Sequence, residues 1–116
     1  MEIYVFRHGI AYDAKAGQSD ADRRLTPEGK QKLCKILLRA REAGVHPDVI
    51  LSSPYRRAVE TAALARDVLR VHDEIVETSA LEPLEPPEKA WAEIRLHPDA
   101  AQVMVVGHEP DRKSVV

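Results

Sequence analysis

Three short stretches carry side chains that can grip an anion. In Arg7-His8-Gly9 a guanidinium sits beside an imidazole, next to a residue free to turn sharply, a combination suited to close approach. In Ser52-Ser53-Pro54-Tyr55-Arg56-Arg57-Ala58 an arginine falls in the first turn of an expected helix. Free backbone N–H groups there favour phosphate, and the guanidinium adds a bidentate donor. The third stretch, Gly107-His108-Glu109-Pro110, again puts a histidine directly after an apolar run. Each alone is weak: Arg-His-Gly is common by chance, a helix-start arginine is usually just solvated, and a histidine after a strand can be a cap. Their joint placement carries the weight.

The elements that must position them are readable in outline. Glu2 to Arg7 is β-branched, aromatic and bounded by Gly9, which predicts a buried strand. Ile10 to Arg24 is polar and reads as a loop. Thr26-Pro27-Glu28 supplies an N-cap hydroxyl, a proline at the first helical position and an acid near the positive end of the dipole. Leu33, Ile36, Leu37 and Ala40 then recur at helical spacing until Gly44. Val49 to Leu51 is a second strand, and Ser53-Pro54 opens a helix carrying Ala58, Ala62, Ala65 and Leu69 on one face. Glu74 to Glu77 is a third strand. Pro86-Pro87 precedes a helix with Ala90, Trp91 and Ile94, ended by Pro98, with Trp91 placed in the core. Val103 to Val106 is the last strand. The alternation argues an α/β domain with a largely parallel sheet, whose sites form beyond the carboxyl ends of the strands. If the three strands are neighbours, two histidines and two arginines converge there.

The bulk numbers narrow the class. A chain of 116 residues has room for one domain and one core. A net charge of -2 gives no sign of a nucleic-acid partner, and no stretch is apolar enough for a membrane span. Cys34 is alone, so no disulfide framework exists within the chain, and it reads as a small apolar helix residue. A cytoplasmic protein fits these features. His46, His72 and His97 lie beside loops or helix ends and read as solvated. A metal site at His8 and His108 finds no carboxylate at a convincing ligand spacing.

The combination of motifs resembles the histidine phosphatase superfamily, the phosphoglycerate mutase-like proteins, and within it the small SixA-type branch of phosphohistidine phosphatases. The matching residues are Arg7-His8-Gly9, then Ser53-Pro54-Tyr55-Arg56-Arg57-Ala58-Val59-Glu60-Thr61, then Gly107-His108, with Leu25-Thr26-Pro27-Glu28-Gly29 as the helix start. Arg-His-Gly-Ile-Ala, with Ala11, also looks like that branch. The resemblance implies a three-layer sandwich with a largely parallel central sheet flanked by helices. It implies His8 as nucleophile, Arg7 and Arg57 as phosphoryl-binding groups, and His108 as a second histidine donating to the same oxygens. It implies no metal and no other cofactor. By register the binding arginine is Arg57 rather than Arg56, because it precedes Ala58. Two displacements follow, phosphoryl to His8 and then water onto phospho-His8.

Many superfamily members acting on esters carry a glutamate in a Leu-x-Glu run, to protonate the departing alkoxide. Here Leu81-Glu82-Pro83-Leu84 puts Pro83 at that place. An imidazole leaving group needs less acid help, so the expected substrate is a protein phosphohistidine. The rivals are a phosphomonoesterase on a small phosphate metabolite, using Glu82 or Glu85 as an offset acid, and a phosphate-binding module without turnover. The resemblance fades after about Pro110, where the family usually continues. Residues 111–116 lack the periodicity of a packing helix and match one reading frame of a sequencing-library adapter. A single domain over 1–116, incomplete at its C-terminus and ending in a non-native tail, is the expectation.

Overall fold

The computed structural model describes residues 1–108. The sequence expectations for 109–116, the tail included, lie outside the described residues. Four strands, β1 (Glu2–Arg7), β2 (Val49–Ser52), β3 (Val76–Glu77) and β4 (Gln102–Gly107), form one parallel sheet in the order β1-β4-β2-β3. Three helices join them: α1 (Pro27–Glu42), α2 (Arg56–Val68) and α3 (Pro87–Ile94).

The strand pleat sorts the core into two layers. Ile50, Met104 and Val106 face α1 and α2, meeting Leu33, Leu37, Ala58, Ala62 and Ala65. Val49, Leu51, Val103 and Val105 face the other way, onto Leu81 and onto Ile94 of α3. The chain is therefore a helix–sheet–helix sandwich, as expected. β2 and β4 are covered on both faces, which explains their unbroken apolar runs.

β1 departs from expectation. It lies at a sheet edge among the described residues rather than in the interior, and Val5 is 81% exposed. Its side-chain alternation matches a strand, but α3 is only eight residues long and leaves that corner open.

α1 begins as its sequence dictates. Thr26 Oγ1 accepts from Gly29 N at 2.9 Å, and Pro27 occupies the first helical position. Gly29 is required for another reason: a Cβ there would lie 2.4 Å from the Ile10 carbonyl oxygen. The helix start thus presses on the backbone just beyond His8. Leu33 and Leu37 are buried, each stabilising by about 1.5–3 kcal/mol, whereas Ile36 falls off the stripe and is exposed. Gly44, at φ +89°, ends the turn after the helix.

α2 starts at Arg56, two residues later than the Ser53-Pro54 reading, because Tyr55 is the N-cap. That cap has no side-chain hydrogen bond to the first turn. The third strand is only Val76–Glu77. α3 stops at Ile94 before reaching Pro98, and Trp91 is half-exposed rather than core, since Ala90 and Ile94 take the inward face.

Candidate active site

The order β1-β4-β2 makes the three motif-bearing strands neighbours. Their ladder continues past the strand ends, with His8 N donating to Gly107 O at 3.2 Å and Ser53 N to Val106 O at 3.0 Å. The residues after β1, β2 and β4 are therefore held side by side at one rim of the sheet.

His8 follows β1 directly. Its Nδ1 lies 2.7 Å from the Gly9 carbonyl oxygen, which can only accept, so Nδ1 carries the proton. Nε2 then holds the lone pair, and Arg57 Nε donates to it at 3.2 Å. Burial, followed by the positive charges of Arg57, Arg23 and Arg7, holds the imidazole pKa below its ordinary value, against the opposing pull of the Gly9 carbonyl. A neutral ring with its lone pair turned towards a cation can attack phosphorus.

Arg57 is the buried one of the adjacent pair, with 6% of its side chain exposed, and Arg56 is exposed. Its Nη2 also stands 3.4 Å from Nδ1 of His108. A guanidinium donates only, so that ring nitrogen accepts and Nε2 of His108 donates to Ser53 Oγ at 2.8 Å. Burial, Arg57 and His8 push the His108 pKa down to about 4, and Asp20 opposes them. The two imidazoles meet edge to face, centroids 5.3 Å apart. Tyr55 closes the side, 5.0 Å from the His108 ring and 5.0 Å from the Arg57 guanidinium carbon.

Thr61 ties these pieces together. Its Oγ1 donates to Arg57 O at 2.7 Å and accepts from Gly9 N at 3.1 Å, pinning the turn after His8 onto α2. Glu60 does similar service for the approach to α1, accepting from Leu25 N at 2.9 Å.

The structure brings together His8, Arg57 and His108, and Arg7 acts on His8 through its charge. Two participants were missed in the polar stretch read as a loop. Asp20 accepts from Arg57 through both its backbone oxygen (2.8 Å) and Oδ2 (3.1 Å), and its Oδ1 accepts from Arg23 at 2.8 Å. Nothing periodic marks them; the one hint was the nearby Leu-Thr helix start, which places the loop beside the motif.

A region spanning residues 3–85 matches the model of the histidine phosphatase superfamily, branch 1. The chain belongs to the histidine phosphatase superfamily. An uncharacterized protein of Picosynechococcus sp. is 37% identical over 112 residues, covering 96% of this chain and 68% of its own length. The crystal structure assigned to the phosphohistidine phosphatase SixA of Agrobacterium tumefaciens superposes with a TM-score of 0.84. It is 29% identical, over 93% of this chain and 69% of that one. The protein histidine phosphatase SixA complexed with tungstate gives 0.86 at 26% identity, over 95% and 70% of the two chains. This histidine phosphatase is therefore of the SixA type. Phosphoglycerate mutase from Bacillus anthracis, at 18% identity and a TM-score of 0.68 over 91% and 74% of the two chains, shares the fold.

Two cavities lie away from this rim. One of ≈ 460 Å³ opens near the strand starts beside Asp48, Val49 and His97, and one of ≈ 350 Å³ is lined by Arg66, Arg70 and Ile75. Among the described residues no group of three or more His, Cys, Asp or Glu is placed to hold a metal ion. No helix there is long and apolar enough to cross a membrane.

Proposed function

We propose that the chain removes phosphate from protein phosphohistidine, with His8 as nucleophile, Arg7 and Arg57 as groups that receive the phosphoryl oxygens, and His108 joining them when its Nε2–H turns from Ser53 Oγ to the substrate. The observation that carries the mechanism is the fixed tautomer of His8. With Nδ1–H held by Gly9, the lone pair of Nε2 points at the buried guanidinium of Arg57. In the first step Nε2 forms a bond to phosphorus as the bond to the substrate imidazole breaks, and the departing ring nitrogen keeps the electron pair and takes a proton from solvent. Water then attacks phospho-His8, the P–N bond breaks with its electron pair returning to Nε2, and the proton lost by the water passes to solvent as inorganic phosphate leaves. Arg57 stabilises the equatorial oxygens in both steps, since its donors stay in place while charge spreads over them. The related SixA takes tungstate, a tetrahedral oxyanion, which suits such a pocket.

Two engaged carboxylates and a proline support this choice of substrate. Asp20, the carboxylate on Arg57, is held below the ordinary carboxyl range, first by Arg23 and then, after an opposing burial cost, by Arg57. It is thus an anion at neutral pH and has no proton to give an alkoxide. Glu85 is already engaged with Lys89 Nζ at 2.8 Å. Pro83 replaces the acid of the family's ester-cleaving members. A phosphoramidate asks less of the site, because nitrogen takes its proton more readily. The unpaired Cys34 is at home in the cytoplasm, where we place the reaction.

Turnover of a phosphohistidine peptide against sugar phosphates tests the substrate class. Acid-labile phosphate should be trapped on His8, and His8→Ala should abolish release. Faster turnover of sugar phosphates would assign the chain to small metabolites instead, and a stable phospho-His8 without release would make it a binding module.

A further inference from the structure

The phosphoryl-binding arginine is already holding an anion, and that anion is part of the chain. Arg57 Nη1 donates to the Asp20 carbonyl at 2.8 Å and Nη2 to the Asp20 carboxylate at 3.1 Å. Among the described residues its other hydrogen-bonding contacts are with the two imidazoles, and the Tyr55 ring lies 5.0 Å from its central carbon. A phosphoryl group binding Arg57 through two oxygens must therefore take donors now held by protein. The backbone contact is the shorter and cannot leave without moving the turn. The carboxylate can leave: the Asp20 side chain is 53% exposed and its other oxygen is anchored on Arg23 at 2.8 Å. Arg23 is itself fixed, its Nε donating to Tyr12 O at 2.7 Å.

We propose that the Asp20 carboxylate is an internal stand-in for the phosphoryl group, which yields Arg57 to substrate and retakes it to expel inorganic phosphate. This rests on the site reading given above. A product dianion facing Arg57, Arg7 and Arg23 would leave slowly, since all three cations attract it. A tethered carboxylate lowers that affinity by competing for the same Nη2 donor at every turnover. Between contacts it stays paired with Arg23, so no charge is left unmatched. The 3₁₀ turn Asp20–Asp22 sets the reach of this swing.

The test is a calorimetric titration of inorganic phosphate into the full chain, wild type against Asp20→Asn and Asp22→Asn. The Asp20→Asn change keeps the shape of the side chain and removes its charge. Asp22 lies in the same turn but its carboxylate accepts from Ser19 at 2.9 Å, so Asp22→Asn controls for net charge alone. Phosphate should bind Asp20→Asn about three- to tenfold more tightly, the range for one half-exposed charge-assisted contact. Asp22→Asn should bind as wild type does. Asp20→Ser, which keeps no carboxamide to mimic the acid, should reproduce the tightening. Binding unchanged or weakened in both Asp20 variants, or tightened equally by Asp22→Asn, overturns the inference and leaves the site reading standing. Phosphate that binds none of the chains overturns both.

Discussion

Arg57→Ala is the most informative perturbation of the proposed chemistry, because that one side chain touches His8, His108 and Asp20. Loss of one transition-state donor costs about 10²–10³ in kcat. Arg57 offers Nε and Nη2 on the histidine side, so the upper end, about 10³, is expected. Arg57→Lys keeps a charge but not the planar fork, and should regain about tenfold of that loss. Arg56→Ala should stay within about twofold of wild type, because Arg56 is exposed. A second readout separates chemistry from collapse of the site. The His8 pKa is lowered by burial first and by Arg57 next among the lowering causes, so truncating Arg57 relaxes both. The acid limb of kcat/KM should move to higher pH in Arg57→Ala and stay in place in Arg56→Ala. Single-turnover release from a phosphohistidine peptide across pH 4–8 measures both quantities. An Arg57→Ala chain with a tenth or more of wild-type activity refutes the assignment, and a large loss in Arg56→Ala shifts it by one residue.

Two further outcomes are expected. Wild-type activity should hold at pH 6.5 and fall only below it, because His8 must stay neutral and its pKa is depressed from 6.5. Stability has the same sign: a histidine with a lowered folded pKa is protonated more easily when unfolded. The melting temperature should therefore be level above pH 6.5 and decline towards pH 4, and His108→Asn should flatten part of that decline. Gly29→Ala should destabilise by about 1–3 kcal/mol, since its Cβ would lie 2.4 Å from the rigid Ile10 carbonyl, and a denaturant midpoint equal to wild type would contradict the packing.

The sheet was legible because β2 and β4 are covered on both faces and so carry the unbroken apolar runs of residues 49–51 and 103–106. The helix starts were legible where chemistry marks them, at Thr26-Pro27, and misplaced where it does not, at Tyr55, which caps α2 without a side-chain bond. Periodicity overreached at Ile36 and Trp91, because a short apolar stripe has ends and a small sheet cannot cover every residue near it. β1 reads as interior from its residues, yet its depth depends on which strand lies beyond it, which is a tertiary fact. In the site, the motif order placed His8, Arg57 and His108 because strand ends convert sequence order into position. Asp20 and Arg23 stayed hidden because their loop has no period, and their meaning lies in which guanidinium they reach.

The burial of Arg57 links fold and chemistry. A guanidinium with 6% of its side chain exposed is costly unless its donors are matched, and here a carbonyl, a carboxylate and two ring nitrogens match them. Those partners lie just past β1, in the Asp20 turn and just past β4, so the charge draws three separate segments onto the start of α2. The same desolvation keeps both histidines neutral at working pH and strengthens every bond the guanidinium makes. A weaker cation on the surface would leave His8 free to protonate and the loop free to drift. The arrangement that satisfies the buried charge is thus the one that, in the proposed reaction, leaves Nε2 of His8 unprotonated to meet phosphorus.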